Sequence, residues 1–490
     1  MVLLLVTALT WRENLSLGFT DVDALADAAC ASGAWLEQPL NRLTCGWGGS
    51  NANFWRPVVM LHYKLLRTLF GMNPVGWQVW DLGLHLVCVG LVGALGRGWR
   101  GLAAGAIVAL HPLQVEVVPA VARNIDLLLG VFTLLALLMA RRGAFVATVL
   151  ATTLALGSKE TAVAALPVIV LWWWVHHRKH AVTLGLVLAA VLGAYLAVRT
   201  QVLAGLGGYG SSLGVEGLFN AFSRAPVASL FPGWSDLLGQ PHWGWQLTAG
   251  LVVLALVLAP LLKLRRPLDL MGLGLWLLPL VLYGITDTYS RRLMYLPLLG
   301  LALWLGGWAV HAHLRWALAA VVGTMLPHMV LFHGHDWAVN DQVTRSLSTG
   351  AEDLLREAPE GARIWVMDRC VRFTEDRARV RTWQKSGLNN CVALYSLQGW
   401  ADDIVGRGQE LTLLNLSYPT TALDTPRVHI DGDTVVVDRS IQGRAFYKRV
   451  RSDWDIQEEG DVVRMRFTGE RQDDHLLIAS GGEPVLVRVP

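Results

Sequence analysis

Charge is what this chain has least of. Only 16% of its 490 residues are Asp, Glu, Lys or Arg, against about 25% in an ordinary soluble chain. The deficit lies before residue 335, where apolar runs of nearly 20 residues recur, which is about the length of a bilayer-spanning helix. A wholly soluble globular protein is thereby excluded. The outward segments carry no basic stripe with interleaved aromatics, so nothing points to a nucleic-acid partner. No His, Cys, Asp or Glu set stands at metal-ligand spacing, so neither a metal nor a required cofactor is expected. The N-terminus has no basic n-region and no small-residue cleavage site, which argues against a signal peptide. There are only five cysteines.

What is present is 53% hydrophobic, with 22 Trp. The runs predict spans at 1–11, 77–95, 101–120, 125–140, 143–157, 161–175, 181–199, 246–262, 268–286, 293–309 and 316–333. The expected fold is thus an all-α polytopic membrane bundle of about 11 transmembrane helices, filling residues 1–335. The first run has only ten residues before Trp11-Arg12, which leaves open a clipped helix or a misplaced start.

Lys and Arg favour cytoplasmic loops. Arg97/Arg100, Arg141/Arg142, Arg178/Lys179, Lys263/Arg265/Arg266 and Arg315 occupy every second loop. That alternation puts the N-terminus in the cytoplasm and turns loops 12–76, 121–124, 158–160, 200–245 and 287–292 outward, together with everything after residue 335. Cys88 falls inside a span, where a thiol is a small buried hydrophobe. Cys30 with Cys45, and Cys370 with Cys391, lie in outward segments where disulfides are permitted.

Polar groups collect on the outward side. Asp21 and Asp23 stand in the first outer loop, close to the bilayer. One of them can take a proton from a hydroxyl as a general base; alternatively Asp21 caps a helix starting at Val22. Arg56 follows in Trp55-Arg56-Pro57. The run Val58–Phe70, with Leu61, Leu65, Leu66 and Leu69 on one face, reads as an interfacial helix or as a helix packed on the protein. The third span ends in His111-Pro-Leu-Gln-Val-Glu116, followed by Arg123, Asn124 and Asp126. Ionisable groups at such a depth face a bundle interior or an aqueous cavity, or brace a kink at Pro112. Lys159, in Ser158-Lys159-Glu160, is suited to hold a phosphate as a point charge or to pair with Glu160 or another acid. Arg199 ends the seventh span. The loop 200–245 reads as a lid or as interfacial helices anchored by Trp234, Trp243 and Trp245. Asp287 precedes Arg291 and Arg292, two guanidiniums at the start of a helix, which suit an anion or snorkel to the surface.

In order, Phe19-x-Asp21-x-Asp23, Trp55-Arg56-Pro57, His111-Pro-x-Gln-Val-Glu116, Arg123-x-x-Asp126, Ser158-Lys159-Glu160 and Arg292-x-x-Tyr295-Leu-Pro297 resemble the GT-C superfamily of integral membrane glycosyltransferases. The nearest likeness is to bacterial relatives of the transmembrane and tetratricopeptide-repeat O-mannosyltransferase-like group. The resemblance covers roughly residues 10–335. It implies a hexosyltransferase that moves a sugar from a polyprenyl-phosphate donor to a hydroxyl acceptor on a protein, glycan or lipid, on the outer face and with inversion. It implies Asp21 or Asp23 as base, and Lys159, Arg291, Arg292, Arg123 and His111 around the donor phosphate. Arg56, Glu116, Glu160, Arg199, Asp287 and Tyr295 would support them. The implied location is a bacterial plasma membrane, with the catalytic face periplasmic or extracellular. Two features depart from the family: Val22 separates the first-loop acids, and no period near 34 residues follows residue 340, so repeats are missing.

From about Asp336 charge returns. A helix over Ser346–Glu357 and strands at Ala362–Met367, Cys391–Leu397, Glu410–Leu416, Arg427–Ile430, Thr434–Asp438, Ala445–Val450, Val462–Phe467, Leu476–Ile478 and Val485–Val489 make residues 336–490 a small β-rich α+β extracytoplasmic domain. Asp431-Gly432 marks a hairpin. The competing reading of the whole chain is a lipid-linked glycan flippase or other transporter, which would carry charge near the bilayer midplane.

Overall fold

The computed structural model of the chain describes residues 2–17, 35, 54–71, 73–203, 205, 215–230, 243–258, 266–286, 291–311, 314–316, 318–319, 322–323, 353–367, 370–371, 390–391, 410–413, 416–417, 427–438, 446–447, 453–459, 462–470, 473–478 and 485–490.

Up to residue 323 the described chain is helical. The helices are α1 Val2–Thr10, α2 Pro57–Phe70, α3 Pro74–Gly96, α4 Gly98–Leu110, α5 Asn124–Arg142, α6 Phe145–Ser158, α7 Leu166–His176, α8 Ala181–Leu203, α9 Val215–Leu230, α10 Trp243–Leu258, α11 Pro267–Ile285 and α12 Tyr295–Trp308. Their ends follow local chemistry. Pro57, Pro74 and Pro267 each open a helix, where the missing N–H has no partner to lose. The Asn73 side chain accepts from Val75 N–H at 3.1 Å as an N-cap. Gly143 ends α5 in the left-handed region at φ +73°, which glycine adopts without steric cost.

Among the described residues, four helices are long and apolar enough to cross a bilayer: Pro74–Gly96, Asn124–Arg142, Arg178–Leu203 (including the turn before α8) and Pro267–Ile285. The others, apolar but shorter, do not support a count of eleven. The run at 101–120 shows why. Its helix stops at Leu110, and Pro112–Glu116 forms a 3-10 turn, because a proline in mid-helix removes a donor and clashes with the preceding turn. In the same way the run 161–175 is a 3-10 turn, Glu160–Ala165, followed by an eleven-residue α7. The run 316–333 lies almost wholly outside the described residues.

Arginines tie the helices together at one end. The Arg141 guanidinium, at the end of α5, donates to Leu95 O (2.9 Å) and Ala94 O (3.0 Å) at the end of α3, capping carbonyls that helix geometry leaves orphaned. Arg100 of α4 makes a buried ion pair with Asp269 of α11. Arg97, Arg142 and Arg178 belong to this same end. At the opposite end lie residues 54–56, 111–126, 158–165, the last turns of α8, 283–286 and 291–295.

Helix α12 is the axis. All fourteen of its residues are buried, and it packs on α3, α4, α5 and α11. Its contact with α11 is backbone to backbone: a Cβ added to Gly300 would stand 2.5 Å from Trp276 N and 2.6 Å from Gly272 O. Small residues allow such approaches where no water-driven force holds helices together. On the outside, α8 turns Val182, Leu186, Leu196 and Val198 outward, as a lipid-facing wall does.

Helix α2 buries Val59, Met60, Tyr63 and Leu66 against Phe54, Trp77, Val121, Ile125 and Leu128. Of the leucines read as one face, Leu66 joins this packing while Leu61 and Leu69 are exposed. Likewise α9, inside the loop 200–245, packs on α10 and α11 and contributes Ala225, Val227 and Leu230 to the main core.

The tail holds two four-stranded sheets. One is built from β1 (Arg363–Met367), β2 (Glu410–Leu413), β7 (Asp474–Ile478) and β8 (Val485–Arg488) in the order β8-β7-β1-β2, with β1 parallel to both β7 and β2, and β8 antiparallel at the edge. The other, antiparallel throughout, has the order β3 (Arg427–Asp431), β4 (Thr434–Asp438), β6 (Val462–Phe467) and β5 (Trp454–Glu459). Alternate residues Val435 and Val437, Val463, Met465 and Phe467, and Leu476 and Ile478 meet Trp365 and Trp454 in one core, as the two-residue strand period requires. The expected hairpin is present. Gly432 turns it at φ +63°, the first central position of a type II′ turn.

Candidate functional site

At the end opposite the arginine-rich loops, the apolar bundle holds a connected set of charges. Arg56 immediately precedes Pro57, so the start of α2 fixes its backbone. Its guanidinium clasps Glu160 with both prongs, Nη2 to Oε1 at 2.7 Å and Nε to Oε2 at 3.1 Å. The Arg56 side chain is 6% exposed and that of Glu160 30%. Two parallel bonds make this a geometrically specific pair.

Arg199, from the last turns of α8, brings its Nη1 to 4.0 Å from Glu160 Oε2. It donates to Tyr195 Oη at 3.1 Å, one helical turn earlier, and to Trp55 O at 3.4 Å. The Trp55 ring stacks on Tyr195 at a 5.3 Å centroid distance. Burial pushes the Glu160 carboxyl up, but Arg56 and then Arg199 outweigh it and hold it down to about 2. Glu160 is therefore a fixed anion between two cations.

Lys159 points elsewhere. Its Nζ lies 2.5 Å from Asp126 Oδ1, with both side chains almost fully buried. Burial lowers the ammonium from its ordinary value, Asp126 opposes that, and Arg56 adds to it. The two ion-pair systems thus share one field through adjacent residues. The described groups, Arg56, Lys159 and Arg199 against Glu160 and Asp126, leave one positive charge in excess.

A second set of contacts positions the neighbouring turns. Tyr283 Oη donates to Leu293 O at 3.0 Å, pinning the turn Arg291–Met294 to α11, and that turn packs on Pro112–Glu116. Arg291 and Arg292 stand in this turn just before α12, and Glu116 in the turn facing it. Arg123 closes the turn Val121–Arg123 directly ahead of α5. His111 is engaged on both sides: Nε2 donates to Ser229 O at 2.7 Å, and Nδ1 accepts from Leu113 N–H at 3.2 Å. That pattern fits a neutral ring bracing the Pro112 break. Tyr295 is turned inward, its hydroxyl 3.1 Å from His85 Nδ1. Asp21, Asp23 and Asp287 lie outside the described residues. Among the described residues no three His, Cys, Asp or Glu converge on a metal position.

The structure thus brings Arg56, Glu160 and Arg199 together and gives Lys159 a different partner. Asp126, Tyr195 and Trp55 join the site without having been singled out for it. Asp126 was visible only as the last member of Arg123-x-x-Asp126. Tyr195 was visible only through its four-residue spacing from Arg199.

No protein-family profile matches the chain. In sequence it is 36% identical over 124 residues to protein O-mannosyl-transferase Tmtc1 of Drosophila melanogaster, a stretch that is 23% of this chain and 14% of that protein. The chain therefore matches only a small part of that relative's length. The match supports the likeness to the GT-C, O-mannosyltransferase-like group that the ordered motifs carry. Among solved structures, a distant likeness exists to ArnT from Cupriavidus metallidurans. The form bound to undecaprenyl phosphate gives a TM-score of 0.39 at 15% identity, over 81% of this chain and 74% of that one. The apo form gives 0.37 at 12%, over 86% and 92%.

Proposed function

We propose that this chain is an integral membrane glycosyltransferase that moves a sugar from a polyprenyl-phosphate-linked donor to a hydroxyl acceptor on the extracytoplasmic face. The observation that carries the reading is the buried, net cationic cluster of Arg56, Lys159 and Arg199 with Glu160 and Asp126 at one end of the helix bundle. Charge at that depth needs a purpose, and a lipid phosphate at the bilayer surface supplies one. The sequence likeness to an O-mannosyl-transferase gives the same class.

In this mechanism a carboxylate of the first loop, Asp21 or Asp23, takes the proton of the acceptor hydroxyl. The acceptor oxygen bonds to the anomeric carbon from the face opposite the phosphate, the bond from that carbon to the phosphate oxygen breaks, and configuration inverts. The electron pair leaves with the lipid phosphate. Lys159, with Arg123, Arg291 and Arg292 from the flanking turns, neutralises the charge that develops there. Electrostatic stabilisation of this kind in a water-poor site is usually the largest catalytic contribution. Arg56, Glu160 and Arg199 hold the backbone on which Lys159 sits. No metal or cofactor is assigned to the step. The basic loops support a reading in which the opposite end is cytoplasmic and the membrane is a bacterial plasma membrane.

The test is transfer by purified protein from radiolabelled polyprenyl-phosphate hexoses, comparing wild type with Asp21→Asn and Asp23→Asn. Wild type consumes donor, and one variant loses at least about a hundredfold in rate, at the lower end of what a positioned general base supplies. Labelled lipid crossing the bilayer with no donor consumed would instead make the protein a transporter.

A further inference from the structure

Beside the cations lies a second group of buried polar side chains that the mechanism leaves unused. Both side-chain polar atoms of Asn14, Gln114 and Asn124, both carboxylate oxygens of Asp81, and Oδ2 of Asp126 complete no hydrogen bond of normal geometry among the described residues. Asn14 is 2% exposed, Gln114 and Asp126 1%, and Asp81 and Asn124 0%.

They share one neighbourhood. Asp81 stands within hydrogen-bonding reach of Asn124, and Asn124 and Asp126 occupy the first turn of α5. The turn Arg12–Ser16 that carries Asn14 packs on α3, which carries Asp81. The flanking residues of Asn14, Asp81 and Gln114 meet in one apolar cluster of Trp11, Leu17, Leu82, Val115 and Val118. Asp126 connects the group to the cations through Lys159.

Each such atom, if left without a partner, costs about 1–3 kcal/mol. A set this dense is kept where something polar completes it. Its chemistry selects the occupant. Three buried amides present acceptor oxygens beside their donor N–H groups. A phosphate, which only accepts, would strand those oxygens; a neutral polyhydroxyl, which both donates and accepts, would meet complementary partners.

Building on the transferase reading above, we propose that Asn14, Asp81, Gln114 and Asn124 form the subsite that recognises the hydroxyls of the donor's sugar ring, next to the cations that take its phosphate. A site built to bond a hydroxyl rejects the epimer that cannot supply it, since its own buried groups are then stranded.

The experiment measures kcat/KM on polyprenyl-phosphate mannose, glucose and galactose for wild type, Asn124→Ala and Gln114→Leu. Gln114→Leu keeps most of the side-chain volume, so it serves if Asn124→Ala does not fold. Comparison of donors within one preparation cancels any difference in active fraction. The expected result is a strong preference in wild type for one hexose, reduced at least about tenfold by either substitution. A preference that stays at the wild-type ratio while all donors slow equally means a structural polar network only, and overturns the subsite with the transferase intact. If wild type turns over no donor, the transferase reading and the subsite fall together.

Discussion

Lys159 and Asp126 form a pair whose value differs for folding and for chemistry. Removing only the ammonium leaves Asp126 buried and charged, which costs about 3–5 kcal/mol, whereas replacing both members by apolar groups of similar volume is often near neutral. Lys159→Met should therefore lower the unfolding midpoint in detergent sharply, and Lys159→Met with Asp126→Leu should restore most of it. Donor turnover should be lost in both. A double variant that folds and still turns over donor would remove Lys159 from the phosphate site.

Glu160 makes a prediction about acid. Its carboxyl ionises near 2 in the folded chain, below the ordinary 4.5. A depressed carboxylate contributes stability that is complete above the unfolded value and is lost as pH falls toward the folded one. The stability gap between wild type and Glu160→Gln should thus be constant from pH 8 to about 5, then close as pH falls from 4.5 toward 2. A gap that widens in acid would contradict the clasp by Arg56 and Arg199.

At the scale of elements, Gly300 is the most constrained glycine argued above. Gly300→Leu places a side chain where a Cβ alone already stands 2.5 Å from the α11 backbone. Overpacking of this kind costs about 1–3 kcal/mol, and thermal unfolding of the purified variant should register that loss. In the tail, the short antiparallel pair Cys370–Val371 with Asn390–Cys391 sets position 370 directly opposite 391, a register compatible with a cross-strand bridge. Alkylation without and with prior reduction should show a mass difference of two blocked thiols in the tail; equal masses would mean free cysteines.

These elements show what the sequence makes legible. Long apolar runs mark α3, α5, α8 and α11 because hydropathy is additive along a helix. The same averaging carried the run 101–120 across Pro112, where the sequence suggested a kink and one missing backbone donor in fact ends the helix. The strand Trp454–Glu459 escaped notice because Asp455, Gln457, Glu458 and Glu459 conceal its apolar partners Trp454 and Ile456. In the site, the inventory of charged residues could be read off directly. The pairing could not, since Arg56 and Glu160 are 104 residues apart and only packing decides whether Lys159 meets its neighbour or Asp126.

For the whole molecule the arginines divide one end from the other. In a background with the native cysteines changed to Ser, Asn73→Cys should react with an impermeant maleimide on intact cells and Lys179→Cys only after permeabilisation. The reverse pattern would invert the topology and move the cation cluster to the cytoplasmic face, where the proposed acceptor side would no longer apply.

The burial of α12 on all sides bears on how the protein is made. A ribosome delivers this helix after the eleven described helices that precede it, yet in the finished bundle it occupies the middle, in contact with α3, α4, α5 and α11. Those earlier helices must therefore either gather around an interior slot held open for a latecomer or wait in lipid as separable pieces until it arrives. Chains terminated at residue 290 should accordingly not accumulate as a smaller stable bundle but should be cleared by membrane proteases. The central member of this bundle arrives late, not first.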